Sequence, residues 1–101
     1  MSKLISLVVS VYNEENGLRQ FYETTKRILC AFTDKCRAEG RDYDYELCFV
    51  NDGSIDKSGS ILDEISRADI EHVTVVSFSR NFGHEAAMTA GLDYASGDYL
   101  I

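Results

Sequence analysis

The hydrophobic period of this chain switches between two regimes, and it does so three times. Leu4 to Val11 (LISLVVSV) is short, β-branched and almost wholly apolar, the pattern of a strand buried on both faces. A polar turn, Tyr12-Asn13-Glu14-Glu15-Asn16-Gly17, follows. Leu18, Phe21, Tyr22, Thr25, Ile28, Leu29, Phe32 and Cys36 then recur at three- and four-residue steps, predicting a helix that runs to near Gly40 with those residues on its packed face. The cycle repeats. Tyr45 to Val50 (YELCFV) reads as a strand, Asn51-Asp52-Gly53-Ser54 as a turn, and Ile61, Leu62 and Ile65 as one face of a short helix capped by Asp56 or Ser58. Val73 to Phe78 (VTVVSF) is the third strand. An alanine-rich helix from His84 to Tyr94 follows, closed by Ser96-Gly97-Asp98, before Tyr99-Leu100-Ile101 opens a fourth strand. Strand and helix alternating in this way give an α/β fold: a parallel sheet joined by right-handed crossovers, with helices on both faces.

Length and charge narrow what such a sheet can do. The 101 residues suffice for one domain and not for two cores. No apolar run approaches the roughly 18 to 20 residues that span a bilayer, and the N-terminus lacks the pattern of a signal peptide, so a cytoplasmic location is expected. Cys30, Cys36 and Cys48 form neither a C-x-x-C pair nor an even set, which suits small apolar side chains in a reducing compartment. The formal net charge of −7 repels nucleic acid phosphates and argues against a DNA- or RNA-binding module. A nucleotide diphosphate is repelled too unless a cation is supplied, by a divalent metal or by a well-placed Arg or Lys.

In a parallel sheet the loops after the strands gather on one edge, where ligands of open α/β sheets bind. All three such loops here carry side chains able to bind: Tyr12-Asn13-Glu14-Glu15, Asn51-Asp52-Gly53-Ser54 and Arg80-Asn81-Phe82-Gly83-His84. The opposite edge has generic polar residues such as Arg41, Asp42 and Asp44. Neither G-x-G-x-x-G nor G-x-x-x-x-G-K-[ST] occurs, so a nucleotide must be held by another route. Asp52 can accept the imide N–H of uracil or the paired N–H groups of guanine, a donor pattern that adenine and cytosine lack. Tyr12 can stack on a base, Gly53 permits close backbone approach, and Ser54 can turn back onto its own loop. Asp56 reads as a helix N-cap and Glu15 as a first-turn carboxylate. Asn81 suits loop fixation nearly as well as ligand contact. His84 opens a helix and is not taken as a catalytic base, His72 reads as merely exposed, Asp98 as tying down its turn, and Ala86, Ala87, Ala90 and Gly91 as close helix-on-sheet packing.

Three segments in order resemble one family. Ser10-Val11-Tyr12-Asn13-Glu14-Glu15 is similar to the P-x-Y-N-E-E opening of glycosyltransferase family 2, with Ser10 where proline is usual. Val50-Asn51-Asp52-Gly53-Ser54-Ile55-Asp56-Lys57-Ser58 is similar to its V-N-D-G-S-x-D-x-S segment. Arg80-Asn81-Phe82-Gly83-His84-Glu85-Ala86-Ala87, through Ala90-Gly91-Leu92 and Gly97-Asp98, resembles its R-N-x-G-[KH] stretch, in the form found in transferases acting on polyprenyl phosphates. The resemblance implies a Rossmann-like GT-A domain, of which residues 1–101 are the nucleotide-sugar-binding half, and an inverting displacement at the anomeric carbon. It places Tyr12, Asn13, Glu14 and Asp52 on the nucleoside of a UDP- or GDP-linked donor and Arg80 near the diphosphate, with Gly53, Ser54 and Asn81 also counted in the nucleotide-sugar site.

The resemblance also implies what lies further on: an Asp-x-Asp motif for a divalent cation (Mg or Mn), the catalytic base, and the site for a lipid-phosphate or saccharide acceptor. No catalytic residue is assigned within residues 1–101. A chain that stops three residues into a strand is expected to be an inactive N-terminal part that self-associates through its open sheet edge. The competing expectation is a non-catalytic nucleotide-binding module, monomeric at this length. A receiver-like phosphoacceptor domain falls behind both, because Ser77-Phe78-Ser79-Arg80 offers no acceptor Asp after the third strand.

Overall fold

The β-branched runs pair into one parallel sheet, and the periodic segments between them coil against its two faces. The computed structural model describes residues 3–94 and 99–100. The elements are β1 (Lys3–Val11), α1 (Leu18–Ala38), β2 (Tyr43–Asn51), α2 (Ser58–Ala68), β3 (Val73–Ser77), α3 (His84–Tyr94) and β4 (Tyr99–Leu100). The sheet order is β3-β2-β1-β4 with all neighbours parallel. β1 and β2 pair over their whole length, from Lys3↔Tyr43 to Val11↔Asn51. The chain therefore steps outward twice from β1 and then crosses back to its other side, which puts a topological switch point between β1 and β4.

Side-chain parity divides the core in two. Leu47 and Phe49 of β2 join Val11, Leu18, Tyr22, Leu62, Ile65 and Val73 under α1 and α2. Cys48 and Val50 point the other way and meet Val8 and Ala87 under α3. Helices thus cover both faces, which is why the middle of β2 has no polar alternation. Cys36 and Cys48 are buried free thiols, as expected of small apolar residues, and half-buried Cys30 lies 3.3 Å from the Tyr45 hydroxyl. α1 stops where Gly40 takes a left-handed φ of 81°, with Gly40 N–H bonded to Arg37 O and Arg41 N–H to Cys36 O.

Several sequence expectations need correction. Phe21, Ile28 and Phe32 are exposed rather than packed. α1 presents Leu18, Tyr22, Thr33 and Cys36 to the sheet, with Leu29 packed against the same core, and Phe21, Ile28 and Phe32 lie off that face. Neither Asp56 nor Ser58 is the N-cap of α2, a place Lys57 takes: the Ser58 Oγ accepts the Glu14 N–H, and the Asp56 carboxylate, one residue before the cap, accepts the Ser58 N–H at 2.9 Å. Ala86 faces solvent, whereas Ala87 and Gly91 pack on the sheet. The Ser96-Gly97-Asp98 turn lies outside the described residues.

His72 is not merely exposed. Its ring stacks on Tyr45 with centroids 4.3 Å apart, and its nitrogens face Asp69 at 2.9 Å and Asp44 at 3.3 Å. Asp69 is the buried centre of that cluster, accepting from the Tyr22 hydroxyl at 2.7 Å and pairing with Lys26 at 3.3 Å. Burial opposes its ionisation, but the bonds from Tyr22, His72 and Lys26 prevail and hold the carboxyl below its ordinary value.

Two stability predictions follow from these contacts. A Cβ at Gly91 would sit 2.2 Å from Val8 Cγ1 and 3.1 Å from Val50 Cγ2, against stiff β-branched neighbours. Gly91→Ala, although favourable to an isolated helix, is expected to cost about 1–3 kcal/mol in urea unfolding through overpacking. A carboxyl with a depressed folded pKa stabilises the fold above its unfolded value near 4, and that contribution fades as pH falls through the lower folded value. Asp69→Asn should therefore lower the melting temperature at pH 7 and leave a smaller gap from the parent chain near pH 2.

Candidate functional site

The three strand-end loops interlock through polar groups on the carboxyl edge of the sheet. The N–H groups of Asn13, Glu14 and Glu15 lie in the turn between β1 and α1, outside both elements, and residues of the second loop accept them. Asn13 N–H donates to Ser54 Oγ at 3.0 Å, Glu14 N–H to Ser58 Oγ at 2.9 Å, and Glu15 N–H to Asp56 Oδ2 at 3.2 Å. Asn13 returns the tie: its Oδ1 accepts the Ile55 N–H at 2.9 Å, from a backbone with φ of 52° that asparagine tolerates. Asn51 Oδ1 closes the second loop on itself by accepting the Ser54 N–H. Slight desolvation pushes the Asp56 carboxyl up, yet the Ser58 and Glu15 N–H groups outweigh it and keep the group below its usual range.

Asp52 joins the second loop to the third. Its Oδ1 accepts the Phe82 N–H at 2.8 Å, and its Oδ2 accepts the Gly83 N–H at 3.0 Å and Asn81 Nδ2 at 3.2 Å. The same Asn81 amide reaches Asp52 O at 3.2 Å. Only 3% of Asp52 is exposed. A buried carboxylate survives when such donors replace water. Gly53 makes the approach possible: with φ of 69°, a Cβ there would lie 2.1 Å from the Arg80 carbonyl carbon.

The remaining side chains of the edge face outward. Tyr12 is 45% exposed and Phe82 52%. The Arg80 guanidinium lies 4.8 Å from the Phe82 ring centroid, and Phe78 meets Phe82 edge-on at 5.5 Å. Arg80 has no ion pair among the described residues, so its charge remains free for a ligand. Ser10 Oγ lies 2.9 Å from His84 Nδ1 and links the end of β1 to the start of α3. Beside β1, Val9, Val11, Leu18, Phe21 and Glu14 line an open groove of about 310 Å³.

The predicted residues thus fall into two sets. Asn13, Asp52, Gly53, Ser54 and Asn81 are drawn together as the ties between loops, while Tyr12, Glu14 and Arg80 are presented to solvent. Sequence reasoning missed the role of Ser58 as an acceptor between loops, the Ser10–His84 contact and the aromatic side of the third loop. Phe82, an aromatic residue inside a polar turn, was the legible signal for the last. Gly53→Ala should displace the third loop and cost about 1–3 kcal/mol, through a strained φ and the contact with Arg80. Thermal unfolding measures the cost, and backbone NMR shifts confined to residues 80–84 locate it.

Comparison with known proteins adds an independent finding. The family model described as "Glycosyl transferase family 2" matches residues 6–101. A Bacillus subtilis (strain 168) protein named uncharacterized glycosyltransferase YkcC is 45% identical over 96 residues, covering 95% of this chain and 27% of that protein. The bactoprenol glucosyl transferase of Shigella phage SfV is 43% identical over 97 residues, 96% of this chain and 28% of the phage protein. The prophage bactoprenol glucosyl transferase homolog of Escherichia coli (strain K12) is 42% identical over the same length and shares. The chain therefore spans little more than a quarter of the length of these relatives.

Proposed function

The chain belongs to glycosyl transferase family 2, and from that membership we propose that its carboxyl edge binds the nucleotide of a UDP- or GDP-linked sugar donor. The observation that carries the reading is the convergence of three interlocked loops on the carboxyl edge of the sheet, with Asp52, at the end of β2, at their centre. Tyr12 supplies an aromatic surface for the base. Asp52 supplies the acceptor for an imide or guanine N–H. Gly53 and Ser54, with Asn13, Glu14 and Asn81, shape the walls, and Arg80 supplies the cation that an acidic chain needs beside a diphosphate.

For the whole protein we propose inverting transfer of the sugar to a polyprenyl phosphate, at the cytoplasmic face of a membrane. The support is the name that the phage and prophage relatives share, bactoprenol glucosyl transferase, together with the third-loop motif from Arg80 to His84. Residues 1–101 would be the donor-binding front of a GT-A domain. Among the described residues no helix is long and apolar enough to cross a membrane. No three His, Cys, Asp or Glu side chains converge as metal ligands among them either. A divalent cation, proposed for the whole protein, is thus assigned no ligand among these residues.

Titration with UDP, GDP, ADP and CDP by ligand-observed NMR tests the donor reading. UDP or GDP should bind near the millimolar range, about −4 kcal/mol, with ADP and CDP much weaker. Asp52→Asn should remove that preference. Equal binding of all four, or none, would overturn the assignment of this edge.

A further inference from the structure

We infer that the Asn81–Gly83 segment is a latch closed on Asp52, and that a nucleobase reaches this carboxylate only by displacing it. The inference rests on the donor reading, in which Asp52 meets a base N–H. In the free chain that contact is blocked. The carboxylate is almost wholly buried, and each oxygen already accepts a backbone N–H, from Phe82 at 2.8 Å and Gly83 at 3.0 Å. Asn81 adds a third donor at 3.2 Å. The backbone of Arg80 and Asn81 lies flush on Gly53, so nothing the size of a base enters between the second and third loops while they stay together.

The segment is built to release. Its backbone belongs to no helix or strand, and Phe82 and Asn81 are exposed, so opening breaks few packed contacts. Gly83 has φ of 101° with open space where a Cβ would stand, which suits a pivot. Beyond it the chain is anchored: His84 is tied to Ser10 at 2.9 Å, and Ala87 of α3 is packed on Val8, Cys48 and Val50 of the sheet. Movement is thereby confined to residues 80–83. The exchange also balances chemically. The paired N–H groups of guanine take both acceptor positions vacated by the Phe82 and Gly83 amides, which turn to water; the single imide N–H of uracil takes one and a water molecule the other, so the carboxylate is not left unpaired. The closed latch lowers apparent affinity by the fraction of molecules that hold it shut.

Weakening the latch without touching Asp52 should therefore tighten nucleotide binding. Asn81→Ala is expected to lower the dissociation constants of UDP and GDP roughly two- to tenfold, the effect of removing one net hydrogen bond from the closed state. In the ¹⁵N-labelled parent chain, the Phe82 and Gly83 amides should lose hydrogen-exchange protection and shift upfield as either nucleotide saturates. This readout stands even if the variant folds poorly. Binding that leaves both amides unmoved overturns the latch and keeps the donor reading. So does weaker binding by a well-folded Asn81→Ala chain, which would make Asn81 a ligand contact. If no nucleotide binds, the donor reading falls and takes the latch with it.

Discussion

A carboxylate withdrawn from water at the end of a strand needs donors wherever it can find them. At Asp52 those donors are the amides of Phe82 and Gly83 and the side chain of Asn81, all from the third loop. The path of that loop, and so the display of Arg80 and Phe82, depends on satisfying one acid. The second loop is held from its other side by the N–H groups of Asn13, Glu14 and Glu15 in the first loop, through Ser54, Ser58 and Asp56. Three segments distant in sequence become one polar lattice through groups that each would otherwise be unpaired.

The sheet makes the lattice possible. The nine-residue register of β1 with β2 brings Val11 and Asn51 level, and Asp52 N–H extends the ladder by one bond to Val11 O at 2.8 Å. Phe78 N–H does the same to Asn51 O at 2.9 Å. The loops consequently leave the sheet at one height, close enough for hydroxyl and carboxylate side chains to span the gaps. Placing α3 on the face opposite α1 and α2 then sends the third loop over the second.

Much of this was legible in the sequence. The alternation of apolar runs and helical periods gave the order and type of every described element and placed most of their ends to within about two residues, because strands buried on both faces and amphipathic helices leave distinct patterns. The asymmetry between the two edges located the candidate site. The direction of individual side chains was less legible. Phe21 and Tyr22 are both aromatic and one residue apart on α1, and only the position of the sheet decides that Tyr22 goes in. His72 looked like a surface residue because two of its partners, Asp44 and Tyr45, lie in β2, far from it in the chain, and only Asp69 is nearby. For Asp52 a signal did exist: Cys48, Val50 and Asp52 share one parity, so the acid continues the face that α3 covers.

The two buried acids, on opposite sides of the domain, show what their partners imply for ligands. Asp69 sits against the ammonium of Lys26 and the ring of His72, so its charge is spent within the fold. Asp52 is held by neutral amides, with no cation against it among the described residues, at the edge of an already acidic chain. A phosphate brought there would meet repulsion, whereas a neutral base offering N–H groups would not. The proposed division of labour follows from that contrast: base recognition belongs to the Asp52 side of the third loop, and the diphosphate belongs with Arg80. The same short loop then both separates and couples the two ends of a nucleotide.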